Sequence, residues 1–170
     1  MPEEVFDVVN ERDEVIGHKP RSEVHAHGLL HRAVHILVFN SSGEVFLQKR
    51  SAEKDSEPSK WTSSACGHVD SGEDYDACAV RELREEIGLG VTKAPERLFK
   101  IDACKGTGWE FCWVYRCENA GPFQLDPDEI ETGDWFAPET VTCQLKSRPA
   151  AFASSFQLVW QLMSIKGLIH

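Results

Sequence analysis

Three glutamates, Glu82, Glu85 and Glu86, crowd into one short segment of this chain of 170 residues. They belong to the stretch 67–89, GHVDSGEDYDACAVRELREEIGL, whose part from 74 to about 87 predicts a helix. At about 3.6 residues per turn the three lie at i, i+3 and i+4 and share one face. Ala79, Val80, Leu83 and Ile87 form an adjacent apolar stripe, which must meet a core. Like charges at i, i+4, such as Glu82 and Glu86, repel. A divalent cation removes that cost, and hard cations such as Mg²⁺ take oxygen ligands. Alone, such an edge reads first as a solvated acidic face, which is what most Glu-rich helix edges are.

The surrounding residues decide between the two. Gly67, Glu73, Arg81, Glu82, Leu83, Glu85, Glu86, Gly88 and Leu89 follow the pattern G-x5-E-x7-R-E-U-x-E-E-x-G-U, with U a bulky aliphatic residue. With residue types each at about 5–10% in average proteins, a chance match in a chain this size is roughly one in a million or rarer. The pattern is the Nudix box, and the chain resembles a Nudix hydrolase. The resemblance implies hydrolysis of a diphosphate bond in a nucleoside diphosphate linked to another group. It implies Mg²⁺, or Mn²⁺ in its place, held by Glu82, Glu85 and Glu86, with Arg81 orienting a glutamate. Which carboxylate serves as general base stays open. Such enzymes often recruit a further acid from a loop beyond the box; Glu129 is the candidate, beside Asp128 and Glu131. Gly67 and Gly88 read as backbone positions, the latter ending the helix, and Glu73 as a carboxylate favoured at the helix N-terminus.

Composition narrows the partners. The formal net charge is −10, which argues against duplex nucleic acid or an anionic membrane surface as partner. A small diphosphate is anionic too, so bound metal and local Lys or Arg must offset the acidity at the site. No apolar run approaches the roughly 18 residues of a membrane span. The N-terminus lacks the basic and apolar regions of a signal peptide. The six cysteines include no C-x-x-C pair, so zinc-ribbon and thioredoxin readings lack support. Reduced thiols in a cytoplasmic setting are expected. The oligomeric state is unreadable; a homodimer is compatible with the chain.

The elements that must position the box follow from patterning. Residues 4–9 and 14–17 predict a hairpin around Asn-Glu-Arg-Asp. Pro20 opens a short helix to His27, ended by Gly28. Two strands follow, LLHRAVHILVFN and 44–50, joined by a turn at 40–43. Residues 51–60 predict a loop, and 61–66 lead into the box. Beyond it, strands are expected near 97–101, 109–117 and 134–136. A short helix is expected at 138–145 and an amphipathic one at 150–165, the latter carrying Phe152, Phe156, Val159, Trp160 and Met163. Strands on both sides of a central helix, with a terminal helix for the other face, predict an α/β/α sandwich. The resemblance implies the same, a Nudix fold on a mixed β-sheet, with residues 1–170 as a single Nudix hydrolase domain.

The upstream sequence, HGLLHRAVHILVFNSSGEVFLQKRS and then KWTSSACGHVDSGE, is similar to the isopentenyl-diphosphate isomerase-like branch of this family. That resemblance places Cys66 and Glu110 at an acid–base pair. It places His31 and His68 at metal-ligating histidines, with His25 or His27 near a third; three His with Glu110 suit Zn²⁺ or Mn²⁺. Two departures favour hydrolase over isomerase. Gly108 stands where the isomerases carry the first of two paired glutamates, and the box is intact where theirs is degenerate. A module that senses a nucleotide without turning it over would more naturally have lost a box glutamate.

Overall fold

The computed structural model describes residues 2–169. The chain opens with a hairpin, β1 (Val5–Val9) and β2 (Val15–Pro20). Its turn is closed by the Asn10 side chain, which accepts the N–H groups of Arg12 and Glu14. A short α1 (Arg21–Ala26) follows. The main sheet is built from β3 (His31–Phe39), β4 (Val45–Arg50), β5 (Trp61–Thr62), β6 (Ala65–His68), β7 (Glu96–Ile101), β8 (Glu110–Glu118) and β9 (Ile130–Phe136). Its main path runs β5-β4-β3-β8-β7, with β6 on β3 and β9 on β4. Only β3 and β8 pair in parallel, so the sheet is mixed.

One face of the sheet carries α2 (Tyr75–Ile87), the other α3 (Pro138–Ser147) and α4 (Ser154–Ile165). Period-two alternation along β3 divides its side chains. Val34, Ile36 and Val38 meet Cys78, Ala79, Leu83 and Ile87 of α2. Leu37 and Phe39 meet Val141, Phe156, Val159, Trp160 and Met163. This is the expected α/β/α arrangement.

The sheet forks along β3. Residues 33–36 of β3 pair with β6, whereas β4 joins only at Val38 and Phe39. Ser64, just before β6, ties the fork: its hydroxyl donates to the Phe46 carbonyl and accepts the Val38 N–H.

Several elements differ from expectation. Residues 61–68 form two strands. The strand expected at 134–136 begins at Ile130, because it pairs with β4 along its length. The last helix begins at Ser154 because Phe152 bridges to Trp61 and the Ala153 N–H donates to the Trp61 carbonyl, holding these residues extended. Phe152 is buried, but not as part of that helix.

Candidate active site

Helix α2 is capped by Asp74, whose carboxylate accepts the Ala77 N–H at 2.7 Å. The carboxylate expected to serve this end, Glu73, turns instead to Arg81. The helix ends at Gly88, whose φ of 68° is left-handed; its N–H and that of Leu89 cap the Arg84 and Leu83 carbonyls.

The buried face of α2 contains the predicted Ala79, Leu83 and Ile87 but is wider than patterning predicts. It runs Tyr75, Cys78, Ala79, Glu82, Leu83, Glu86, Ile87, an unbroken i, i+3, i+4, i+7 series in which two glutamates occupy core positions. Val80 is only half-buried, one step off that stripe. Glu82 and Glu86 are 8% and 7% exposed, while Glu85 lies in solvent at the stripe's edge. The three therefore do not form one solvated edge.

The fork explains how the protein tolerates buried carboxylates. With β4 diverging, β6 leaves the Cys66 N–H without a strand partner, and Glu86 Oε1 accepts it at 2.8 Å and Gln48 Nε2 at 3.0 Å. Glu82 lies over Gly67, where a Cβ would come within 2.1 Å of its Oε1. Only glycine permits that approach. Arg81 gathers the rest. Its guanidinium donates bidentately to Glu73 at 2.8 and 2.9 Å, to Glu82 at 2.9 Å, to Glu85 at 3.1 Å and to the His68 carbonyl at 3.0 Å. These partners hold its pKa well above the usual value. Burial pushes the Glu82 carboxyl up, and the Glu86 charge pushes further. Burial also raises Glu86, against the two donors that favour its ionised form. Two proton-hungry, mutually repelling carboxylates are a donor set that a divalent cation fits.

Across β6 and β3 the same cavity, about 660 Å³, holds a second cluster. His31 begins β3 directly opposite Glu110 at the start of β8, and His68 ends β6 opposite Ala33. Helix α1 brings His25. The three imidazoles form a near-equilateral triangle with centroids 5.3–5.4 Å apart. One ligand atom from each, with one from Glu110, lies within 4.8 Å of all the others. Phe6 of β1 supports the group, stacked on His31 and 4.7 Å from His68. The third histidine is thus His25; His27 lies outside the cluster. The His31 Nδ1–H donates to the Leu29 carbonyl at 2.8 Å. Its Nε2 points into the cluster, buried and without a hydrogen bond. An imidazole fixed through one nitrogen with the other free and inward suits metal ligation. Burial, with the nearby charges of His68, Arg21 and His31, lowers the His25 pKa. Burial raises Glu110, but the charge and 2.7 Å hydrogen bond of His68, with the His31 ring 3.3 Å away, outweigh it and hold the carboxyl well below the usual range. A borderline cation such as Zn²⁺ or Mn²⁺ fits three imidazoles and a carboxylate. Among the described residues this is the tightest such grouping; Glu82, Glu85 and Glu86 line the cavity without closing to that spacing.

The remaining candidates fall on the same walls. Cys66 pairs across strands with His35, and burial, with Glu86 adding, pushes its thiol far up, so it stays protonated. Glu129 lines the cavity and is ion-paired to Lys54. Arg21 and Arg50 line it as well, the first paired bidentately with Asp55, the second donating to the Ser56 and Glu57 carbonyls. Sequence reasoning asked for such cations without naming any, and missed Gln48. The available signal was a lone amide in the apolar strand VFLQKR.

The family model of the NUDIX domain matches residues 29–157. The chain is 35% identical over 144 residues to an uncharacterized Nudix hydrolase of Yersinia pestis, covering 83% of this chain and 77% of that protein. It is 32% identical over 169 residues to an isopentenyl-diphosphate Delta-isomerase of Serratia proteamaculans, covering 98% and 92%. Among solved structures, the crystal structure of DR0079 from Deinococcus radiodurans superposes with a TM-score of 0.83 at 27% identity, covering 93% of this chain and 98% of that one.

Proposed function

Because this chain belongs to the Nudix hydrolase family, we propose that it hydrolyses a diphosphate bond in a nucleoside diphosphate linked to another group. The observation that carries this is the pair of buried carboxylates at the fork of the sheet. Glu86 is anchored by the Cys66 N–H and Gln48 and Glu82 is seated over Gly67, both in a cavity also lined by Arg21, Arg50, Lys54 and Lys105. Mg²⁺, or Mn²⁺, held by Glu82, Glu85 and Glu86 would neutralise phosphate oxygens and acidify bound water. Arg81 positions Glu82 and Glu85 through one nitrogen and is too occupied with carboxylates to bind substrate. Arg50 and Lys54 meet the diphosphate, and Glu129, released from Lys54 when phosphate takes its place, is a candidate to accept a proton from the attacking water. Positioning and electrostatics of this kind supply most of the rate in phosphoryl transfer.

A second reading has its own support. The His25–His31–His68–Glu110 cluster and a protonated Cys66 share the cavity, which suits proton transfer to and from an alkene diphosphate as in an isomerase. The intact box and Gly108 rank it second.

The test is a screen of purified protein with Mg²⁺ against nucleoside di- and triphosphates, nucleotide sugars, dinucleotides and coenzyme A, alongside isopentenyl diphosphate in deuterated water. Glu86→Gln is expected to lower kcat on the best diphosphate by several orders of magnitude, and Cys66→Ala to stay within a few-fold of wild type. Near wild-type turnover in Glu86→Gln refutes the metal assignment. Deuterium uptake into isopentenyl diphosphate that vanishes in Cys66→Ala establishes the isomerase reading instead.

A further inference from the structure

Trp109 is out of place by every ordinary rule. Its φ is 65°, a conformation that is a genuine outlier for a bulky side chain. It is 43% exposed, although tryptophan is highly buried on average. The backbone is pinned on both sides. The Trp109 N–H donates to the Cys104 carbonyl at 2.8 Å, and the Trp109 carbonyl accepts the His31 N–H at 3.3 Å. The turn over residues 105–108 thus delivers the indole to the cavity wall immediately before Glu110. One edge of the ring is backed by Gly28, with Cδ1 and Nε1 3.5 and 3.6 Å from where a Cβ there would sit.

The wall around it is otherwise charged or closed. The other apolar residues lining the cavity, Val24, Ala33, Val34 and Ala153, are 0–3% exposed. Trp109 is therefore the one large apolar surface that the cavity offers among the described residues. Lys105, on the same turn, is exposed and makes no ion pair among the described residues. A flat aromatic face beside a free cation, in a cavity with carboxylates, matches a nucleotide. A base stacks on the indole whatever its identity, because every base has a π-face. A short alkenyl chain would meet this single face and otherwise charge.

We infer that Trp109 is the specificity-determining platform on which the nucleobase of the substrate stacks, Lys105 meeting its phosphates. This rests on the hydrolase reading above and adds to it the residue that holds the base. A left-handed backbone held in place at a bulky residue is the kind of strain found at ligand-binding positions.

The experiment is calorimetric titration of the Mg²⁺-loaded protein with adenosine and cytidine α,β-methylene-diphosphates and with methylenediphosphonate, which has no base. Wild type is expected to prefer the nucleoside forms by roughly 5- to 150-fold, the range base-on-aromatic stacking gives by alanine substitution. Trp109→Ala should erase that preference while binding methylenediphosphonate within about twofold of wild type, and Trp109→Phe should keep most of it. No preference in wild type overturns the assignment. So does an equal loss of all three ligands in Trp109→Ala, which would make the ring a mere support for Glu110. Turnover measured in parallel separates the two readings. Base preference without hydrolysis of any diphosphate sinks the hydrolase and keeps the platform. Hydrolysis of a nucleoside substrate with KM unchanged in Trp109→Ala sinks the platform and keeps the hydrolase.

Discussion

Gly67→Ala probes the reasoning most directly, because it adds one methyl group and removes nothing. The new Cβ would lie 2.1 Å from Glu82 Oε1, 2.4 Å from its Cδ and 2.9 Å from Oε2. Ordinary contact begins at about 3.5 Å, so something must retreat by roughly 1.4 Å. The strand cannot do so readily. Gly67 is in register with Val34 of β3, and the neighbouring Cys66 N–H is held by Glu86. The helix cannot either, since Leu83 and Ile87 are fully buried beneath it. The displacement therefore falls on the Glu82 side chain and on its bond from Arg81. Overpacking of this kind costs about 1–3 kcal/mol of stability, and a misplacement of an ångström about 100-fold in rate. Urea denaturation and steady-state kinetics at saturating Mg²⁺ measure the two. Glu82→Asp withdraws the carboxylate by one methylene, so in the double variant the stability lost to Gly67→Ala should return while activity stays low. A double-mutant cycle reads that coupling. Wild-type kcat in Gly67→Ala, or a structure of it with Glu82 unmoved, refutes the argument.

The other predictions address different parts of the molecule. Since burial raises the Glu82 and Glu86 carboxyls above their unfolded value, these two groups bind more protons in the folded than in the unfolded metal-free protein. Their contribution to stability, read as wild type minus Glu82→Gln and Glu86→Gln, should therefore fall as pH rises from the ordinary carboxylate range towards neutrality, while the lowered His25 and His35 act the opposite way over part of the window. Mg²⁺ requires the ionised forms, so the increase in Tm that it produces should grow over the same window; a pH-independent increase contradicts this. Asp13 lies at the hairpin tip, where burial opposes its charge, but Lys100, Arg32 and Tyr75 outweigh that and hold its carboxyl below the usual range. Asp13→Ala should cost about 3 kcal/mol in urea denaturation at neutral pH, and less as pH falls through the lowered value of the folded state. His68→Ala should weaken Zn²⁺ or Mn²⁺ binding at the histidine cluster by at least about 10-fold, read by competition with a chromogenic chelator, while leaving Mg²⁺-dependent turnover within a few-fold.

Much of the candidate site is legible in residue order because the box is local. A helix puts i, i+3 and i+4 side by side whatever surrounds it, so Glu82, Glu85 and Glu86 can be grouped before any fold is known. Arg81 and Gly67 are legible through the spacing of the same motif. The histidine cluster is only half legible. Resemblance singles out His31 and His68 and names His25 as the third, with His27 as its alternative. Only the course of α1 points His25 inward.

What the sequence by itself determined is the set of chemical groups and the alternation that sorts each strand's side chains between two faces. What only the tertiary structure decided is the electrostatic state of those groups. The helical pattern places three glutamates on a common face, yet whether that face meets water or protein depends on where the sheet forks. β3 changes partner from β6 to β4 in mid-strand, which leaves the Cys66 N–H unpaired within the sheet and lets Glu86 fill the gap as its acceptor. Burial then raises the proton affinity of two carboxylates that residue order alone would leave solvated. Trp109 follows the same logic in part, because one of the two bonds that pin its left-handed backbone is local, to Cys104, and the other comes from His31 on a neighbouring strand. Local spacing is a property of one element, whereas desolvation and strain arise only when several elements compete for the same space.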